Sequence, residues 1–238
     1  MHNIFDNEQL RAVLFDMDGV LFDSMPNHAT AWTQAVASFG LYMTRKEVYM
    51  NEGRTGSGTI NTLTQRSWGR YATEQEVEQI YKAKSAFFNQ CPTAQPMPFA
   101  REVVEAVRAR GLARVIVTGS GQLSLLERLN VAFSGAFCQE LMVTAFDVKL
   151  GKPNPEPYLK GLAKAGQALN ADHSPLLPSQ AIVVENAPLG IQAAKAAGIF
   201  CVAVNTGPLE DEVLLDAGAD IIFPSMCALA DYLTHKDA

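Results

Sequence analysis

Two carboxylates one residue apart end an apolar run near the start of the chain, Ala12-Val13-Leu14-Phe15-Asp16-Met17-Asp18-Gly19. The run reads as a buried strand, and because strand side chains alternate, Asp16 and Asp18 point into one small volume while Met17 packs away. Burying either acid without a cation or hydrogen bonds costs several kcal/mol, about the size of a domain's net stability. A divalent cation is the simplest remedy. By itself the DxDG pattern reads equally as an acidic turn after a strand, so the choice rests on the other polar strand ends.

Three more such ends follow. Val117-Thr118-Gly119-Ser120-Gly121 offers hydroxyls and backbone N–H groups at a helix start, which suits phosphate oxygens and equally suits a plain N-cap. Lys152 stands between Gly151 and Pro153-Asn154-Pro155, so two prolines fix the backbone beside a single cation. Glu185 and Asn186 close the apolar run Ala181-Ile182-Val183-Val184 and offer hard oxygen donors of the kind Mg²⁺ takes; Asn186 could instead cap the helix that Pro188 opens.

The elements that must position these groups fall into two patterns. Apolar residues recur at helical spacing over 21–40, 59–66 and 73–88, and no strand pattern interrupts them. A three-glycine loop, Glu52-Gly53-Arg54-Thr55-Gly56-Ser57-Gly58, lies among them, and the proline-rich Cys91–Pro98 stretch closes the insert. Residues 22–96 are thus expected to form a helical unit with its hinges, set into an α/β core of 1–21 and 97–238. In the core, helices are predicted over 100–110, 123–129, 156–168 and 189–197. Strands are predicted over 114–118, 141–144, 181–185, 200–204 and 220–223. Such alternation implies right-handed crossovers and a parallel sheet with helices on both faces, whose site lies at the carboxyl ends of its strands.

The chain's 238 residues, 48% of them hydrophobic, suffice for a full core. With 25 acidic against 19 Lys and Arg residues the net charge is -6, which argues against a nucleic-acid surface, so any phosphate chemistry needs local cations or a metal. The four cysteines are far apart and form no CxxC, as expected of reduced thiols. The first apolar run carries Asp16, Asp18 and Asp23, which fits neither a signal peptide nor a membrane span, so a cytoplasmic protein is expected. No obligate protein partner is evident.

Taken jointly, FDMDGVLFDS at 15–24, VTGSG at 117–121, GKPNPEPY at 151–158 and VVENAPLGI at 183–191 resemble the haloacid dehalogenase superfamily, over nearly the whole chain. The insert resembles the cap of its β-phosphoglucomutase-like subgroup. The resemblance implies a Rossmann-like parallel sheet with an all-helical cap domain, Mg²⁺ as cofactor and a small phosphate-containing substrate. It implies that Asp16 attacks phosphorus and that Asp18 serves as acid and then base, with a raised pKa. Thr118, Gly119, Ser120 and Lys152 would hold phosphoryl oxygens. Asp16, the Asp18 carbonyl and Asn186 would hold the metal, with Glu185 nearby. His28 and Lys84 fall where β-phosphoglucomutases carry functional cap residues, though each also reads as a solvated helix residue.

Two departures bear on substrate. The fourth motif often has two acids in this superfamily, whereas Glu185-Asn186 has one, which leaves room for a further carboxylate. In the cap, the arginine with which the mutases grip a second phosphate is replaced by Gly56, with Arg54 two residues away. Glu52 would repel a distal phosphate but could meet Mg²⁺, directly or through water. YMNEGRTGSGTIN at 49–61 and VTAFDVKLGKPNPEPY at 143–158 resemble the bacterial inorganic pyrophosphatase branch. Pyrophosphate hydrolysis is therefore the first expectation. A β-phosphoglucomutase or broad sugar-phosphate phosphatase is the second, and a catalytically idle binding protein is disfavoured by the intact Asp16, Asp18, Thr118 and Lys152 set.

Overall fold

A computed structural model of the chain describes residues 3–121, 123–133 and 135–234. The first strand, β1 (Ala12–Phe15), is wholly buried. A helical segment then intervenes: α1 (Met25–Ala37), α2 (Arg45–Met50), α3 (Gly56–Trp68) and α4 (Glu74–Gln90). After it come α5 (Ala100–Ala109), β2 (Ala113–Val117), α6 (Leu123–Ala132), β3 (Met142–Val143), α7 (Glu156–Leu169), β4 (Ala181–Glu185), α8 (Pro188–Ala196), β5 (Phe200–Val204), α9 (Asp211–Asp216), β6 (Ile221–Phe223) and α10 (Met226–Thr234).

The strands form one parallel sheet in the order β3-β2-β1-β4-β5-β6. The order reverses at β1, so the carboxyl ends of β1, β2 and β4 meet at a crevice. Alternation along the strands builds two cores. Val13, Phe15, Ile116 and Val184 face one layer of helices, and Leu14, Val115, Val117 and Val183 face the other. The segment between β1 and β2 gathers a third core, in which Met25, Ala29, Trp32 and Val36 form the inward stripe of α1.

Two chain crossings join this helical segment to the sheet, and they run side by side. Asp23 N–H donates to Gln95 O at 2.9 Å and Met97 N–H to Leu21 O at 2.8 Å. The helical segment and the sheet are thus joined through one pair of hydrogen-bonded crossings. No helix among the described residues is long and apolar enough to cross a membrane.

The predicted elements differ from the structure at four elements. The strand expected over 141–144 is only Met142–Val143, preceded by a 3₁₀ turn at Gln139–Leu141. Helices α2, α9 and α10 were not foreseen. For α2 a signal was present: Thr44 and Glu47 form a capping box, with the Glu47 backbone N–H on Thr44 and the Thr44 N–H on the Glu47 carboxylate.

Candidate active site

Asp16 and Asp18 follow β1 directly, and both are almost wholly buried. Asp16 N–H still donates to Val184 O at 3.0 Å, which extends the β1–β4 ladder past Phe15 and holds the first acid beside the end of β4. Met17 turns into the hydrophobic core, as strand alternation requires.

Lys152 enters from the loop before α7, 1% exposed. Its ammonium donates to Asp16 Oδ1 at 2.5 Å, to Glu185 Oε1 at 2.6 Å and to the Val117 carbonyl at 3.0 Å. Burial works against its charge, but Asp16 and Glu185 outweigh burial and raise its pKa, so the lysine stays a cation. The sheet thus presents one fixed positive charge to the end of β1.

Glu185 is held by four protein donors in this arrangement. Its Oε1 accepts from Lys152 and from Tyr158 Oη at 2.8 Å, and its Oε2 accepts the backbone N–H groups of Asn186 at 2.9 Å and Ala187 at 3.1 Å. Both oxygens accept from protein donors. The carboxylate orients Lys152, and Tyr158 orients the carboxylate. Tyr158→Phe is therefore expected to lower kcat about 3–10-fold with KM within twofold, the effect of losing one hydrogen bond to a charged group. Steady-state kinetics would show this split, and an unchanged kcat would remove Tyr158 from the chain of positioning contacts.

The helical segment supplies the roof. Glu52, 8% exposed, brings its carboxylate to Asn186 Nδ2 at 3.1 and 3.2 Å. Burial, together with Asp16, Glu185 and Asp18, raises its pKa well above that of a free carboxylate. Burial likewise pushes Asp16 up to about 8 despite Lys152. The protein's own groups therefore place more negative charge here than its cations offset.

Two buried side-chain oxygens among the described residues have no hydrogen-bond partner: Asp16 Oδ2 and Asn186 Oδ1. Both belong to the set that sequence reasoning assigned to Mg²⁺. Excess negative charge and orphaned hard oxygens suit a divalent cation of that type. No cluster of three or more His, Cys, Asp or Glu at metal-holding spacing occurs among the described residues. The orphaned oxygens belong to a carboxylate and an amide, both acceptable donors to Mg²⁺.

Asp18 departs from expectation. Its Oδ1 accepts from Ser24 Oγ at 2.6 Å and contacts His28 Nε2 at 3.1 Å. Burial raises its pKa, but His28, Ser24 and Lys84 together outweigh burial and hold it below the usual value rather than above. The base form is the one this arrangement favours. His28 and Lys84 are buried, which removes the reading of either as a solvated helix residue. The Lys84 ammonium lies over the rings of Phe88, Trp32 and Tyr81 at 4.8, 5.7 and 5.8 Å, and burial pushes its pKa down to about 8.

Thr118 Oγ1 accepts the Ser120 N–H at 3.0 Å, so the turn after β2 is held by its own hydroxyl. A Cβ on Gly119 would lie 2.2 Å from the Gly53 carbonyl, and one on Gly53 would lie 2.6 Å from Lys152 Cδ. Roof and sheet therefore touch glycine to glycine. At Gly56 a Cβ would lie 2.3 Å from the Tyr81 ring, so the aromatic occupies the ground where a longer side chain would reach in. Sequence reasoning missed Tyr81, although it stands one turn before Lys84 on the same face of α4.

Asp16, Asp18, His28, Glu52, Arg54, Tyr81, Lys84, Thr118, Gly119 and Ser120 all line one cavity of about 50 Å³. Across residues 10–198 the sequence matches the model of a family described as haloacid dehalogenase-like hydrolase. The chain belongs to the haloacid dehalogenase-like hydrolase family. Validoxylamine A 7'-phosphate phosphatase of Streptomyces hygroscopicus subsp. limoneus is 30% identical over 196 residues, covering 82% of this chain and 86% of the relative. A phosphorylated carbohydrates phosphatase of Thermotoga maritima is 29% identical over 88% of this chain and 92% of its own length. Among solved structures, a candidate β-phosphoglucomutase from Bacteroides vulgatus superposes with a TM-score of 0.87 at 54% identity, covering 94% of this chain and 88% of the other. Haloacid dehalogenase-like architecture thus accounts for both the sheet order and the helical segment set over its carboxyl edge.

Proposed function

We propose that the protein is a Mg²⁺-dependent phosphohydrolase that works through an aspartyl phosphate, with inorganic pyrophosphate as its substrate. The observation that carries the substrate choice is the roof: Glu52 and Tyr81 close over the acids and leave a cavity of about 50 Å³. Pockets for drug-sized ligands usually span about 300–1,000 Å³, so a compact anion suits this chamber better than a sugar ester.

In the proposed reaction one oxygen of Asp16 forms a bond to phosphorus as the P–O bond to the leaving phosphate breaks. The anionic substrate bound beside Asp18 raises its pKa, and Asp18, protonated in that complex, gives the leaving group its proton. A water then attacks the aspartyl phosphate, Asp18 takes the proton of that water, and the second phosphate is freed. Because Ser24, His28 and Lys84 favour ionised Asp18, the base step is the one prepared in advance. Thr118 and Lys152 would orient the phosphoryl oxygens. Asp16, the Asp18 carbonyl, Asn186 and Glu52 would hold Mg²⁺, which supplies charge screening between two anions when bound. Half-buried Arg54 would face the leaving phosphate.

A second reading, a sugar-phosphate phosphatase, is favoured by the relatives, which carry names of that kind, and would require the roof to open further. The Mg²⁺-dependent kcat/KM for pyrophosphate beside a panel of sugar phosphates decides between them. Preference for pyrophosphate by at least about 100-fold is expected, and equal or better turnover of any hexose phosphate would overturn the choice. Glu52→Ala should raise the Mg²⁺ concentration for half-maximal rate about 10–100-fold, the range for loss of a group that supports a metal site. If that concentration and the rate both stay put, Glu52 has no part in metal binding.

A further inference from the structure

Behind the chamber, on the outer side of the seam between the α2–α3 loop and the loop before α7, lies a separate groove of about 560 Å³. Arg54 lines both spaces and forms the wall between them. Among the residues that line the groove are three cations, Arg54, Lys149 and Lys152, the last with its ammonium turned to Asp16 and Glu185, and four neutral polar side chains, Thr55, Ser57, Asn61 and Asn154; none is a carboxylate. That composition stands out in a chain with a net charge of -6.

Lys152 is neutralised by Asp16 and Glu185, whereas among the described residues Arg54 and Lys149 have no such partner. Arg54 is half-buried and its Nε donates to Asn51 Oδ1 at 3.3 Å, but no salt bridge involves it or Lys149 among the described residues. Burial alone shifts the Arg54 pKa, downwards, with no acid offsetting it. A guanidinium partly removed from water, without a counter-charge and with hydroxyl and amide donors around it, is a receptor for an oxyanion. The floor is rigid, since Thr55 Cγ2 rests where a Cβ on Gly151 would lie, 2.7 Å away, and two prolines follow.

We infer that this groove is a second oxyanion site, built for inorganic phosphate and divided from the catalytic chamber by Arg54. It rests on the chain being a phosphohydrolase, whichever substrate it takes. Phosphate binding at equilibrium tests it without turnover, so its failure is distinct from failure of the pyrophosphate reading.

The experiment is a calorimetric titration of the full chain with inorganic phosphate in the presence of Mg²⁺. Wild type is expected to bind two phosphates, and Lys149→Glu combined with Ser57→Asp is expected to bind one, with turnover in the absence of added phosphate within about twofold of wild type. Lys149→Gln, a milder change, should weaken the second event at least about tenfold. A crystal soaked in phosphate should show the anion between Arg54 and Lys149. One phosphate per wild-type chain, two in the double variant with unchanged affinity, or a second anion seated elsewhere would each overturn the site.

Discussion

Asp16→Asn is expected to abolish turnover, by roughly 10⁴-fold or more, while the thermal midpoint stays within a few degrees of wild type. Loss on that scale is the usual result of removing the nucleophile from a covalent mechanism. The fold survives because two effects oppose each other. An asparagine oxygen at the same place can still accept from Lys152, now without charge, at a cost of about 1.5–3 kcal/mol for the weakened bond. Against that, Asp16 is one of four acids gathered here with Asp18, Glu52 and Glu185, and burial and mutual repulsion push its own pKa up to about 8. Taking one charge away relieves that crowding. The check is kcat on pyrophosphate and on the sugar-phosphate panel beside a thermal melt; retention of more than 1% of the rate on the preferred substrate would rule out Asp16 as nucleophile.

The contrast between Asp16 and its neighbours shows which parts of the site the sequence could reveal. Asp16, Asp18, Thr118, Lys152 and Asn186 stand where an apolar run stops or where prolines fix the chain, so a polar residue there has no packing reason to exist. Tyr81 and Tyr158 carry no such mark. An aromatic at helical spacing reads as core, and only the fold shows that the Tyr158 hydroxyl reaches Glu185 and that Tyr81 fills the space beside Gly56. Ser24 is concealed in the same way: a serine before a helix reads as an N-cap, yet its hydroxyl makes no cap bond and binds Asp18 instead.

Glu185 illustrates a different limit. Placed next to Asn186 at a strand end, it offers the right atoms for Mg²⁺, and nothing in the sequence says that its oxygens also accept from Lys152, Tyr158 and two backbone N–H groups. Such hydrogen-bond partners belong to tertiary structure. At the level of the fold the same limit applies to α2, whose six residues are too few for a helical period to show and whose only local signature is its capping box.

Lys152→Met carries the largest expected loss of stability in the molecule, and the reason is electrostatic rather than steric. Methionine is close to the lysine stem in volume, so the packing against Gly53 and the Tyr158 ring, 5.0 Å from the ammonium, is largely kept. What disappears is the one cation between the buried carboxylates of Asp16 and Glu185. Removing one partner of a buried ion pair costs about 3–5 kcal/mol, which in a chain of this length lowers the midpoint by roughly 6–20 °C. Turnover should fall at least about 10³-fold, because the phosphoryl oxygens lose their fixed counter-charge as the nucleophile loses its orientation. Thermal melts with and without Mg²⁺ separate this account from a packing defect. A divalent cation bound by the folded state alone should restore part of the midpoint by mass action. Glu185→Gln added to Lys152→Met should also restore part of it, since one uncompensated charge is removed, while leaving the rate where the single variant put it. A single variant that melts within about 2 °C of wild type, or a double variant that melts lower than the single, would show that the ammonium is not what holds these two carboxylates together.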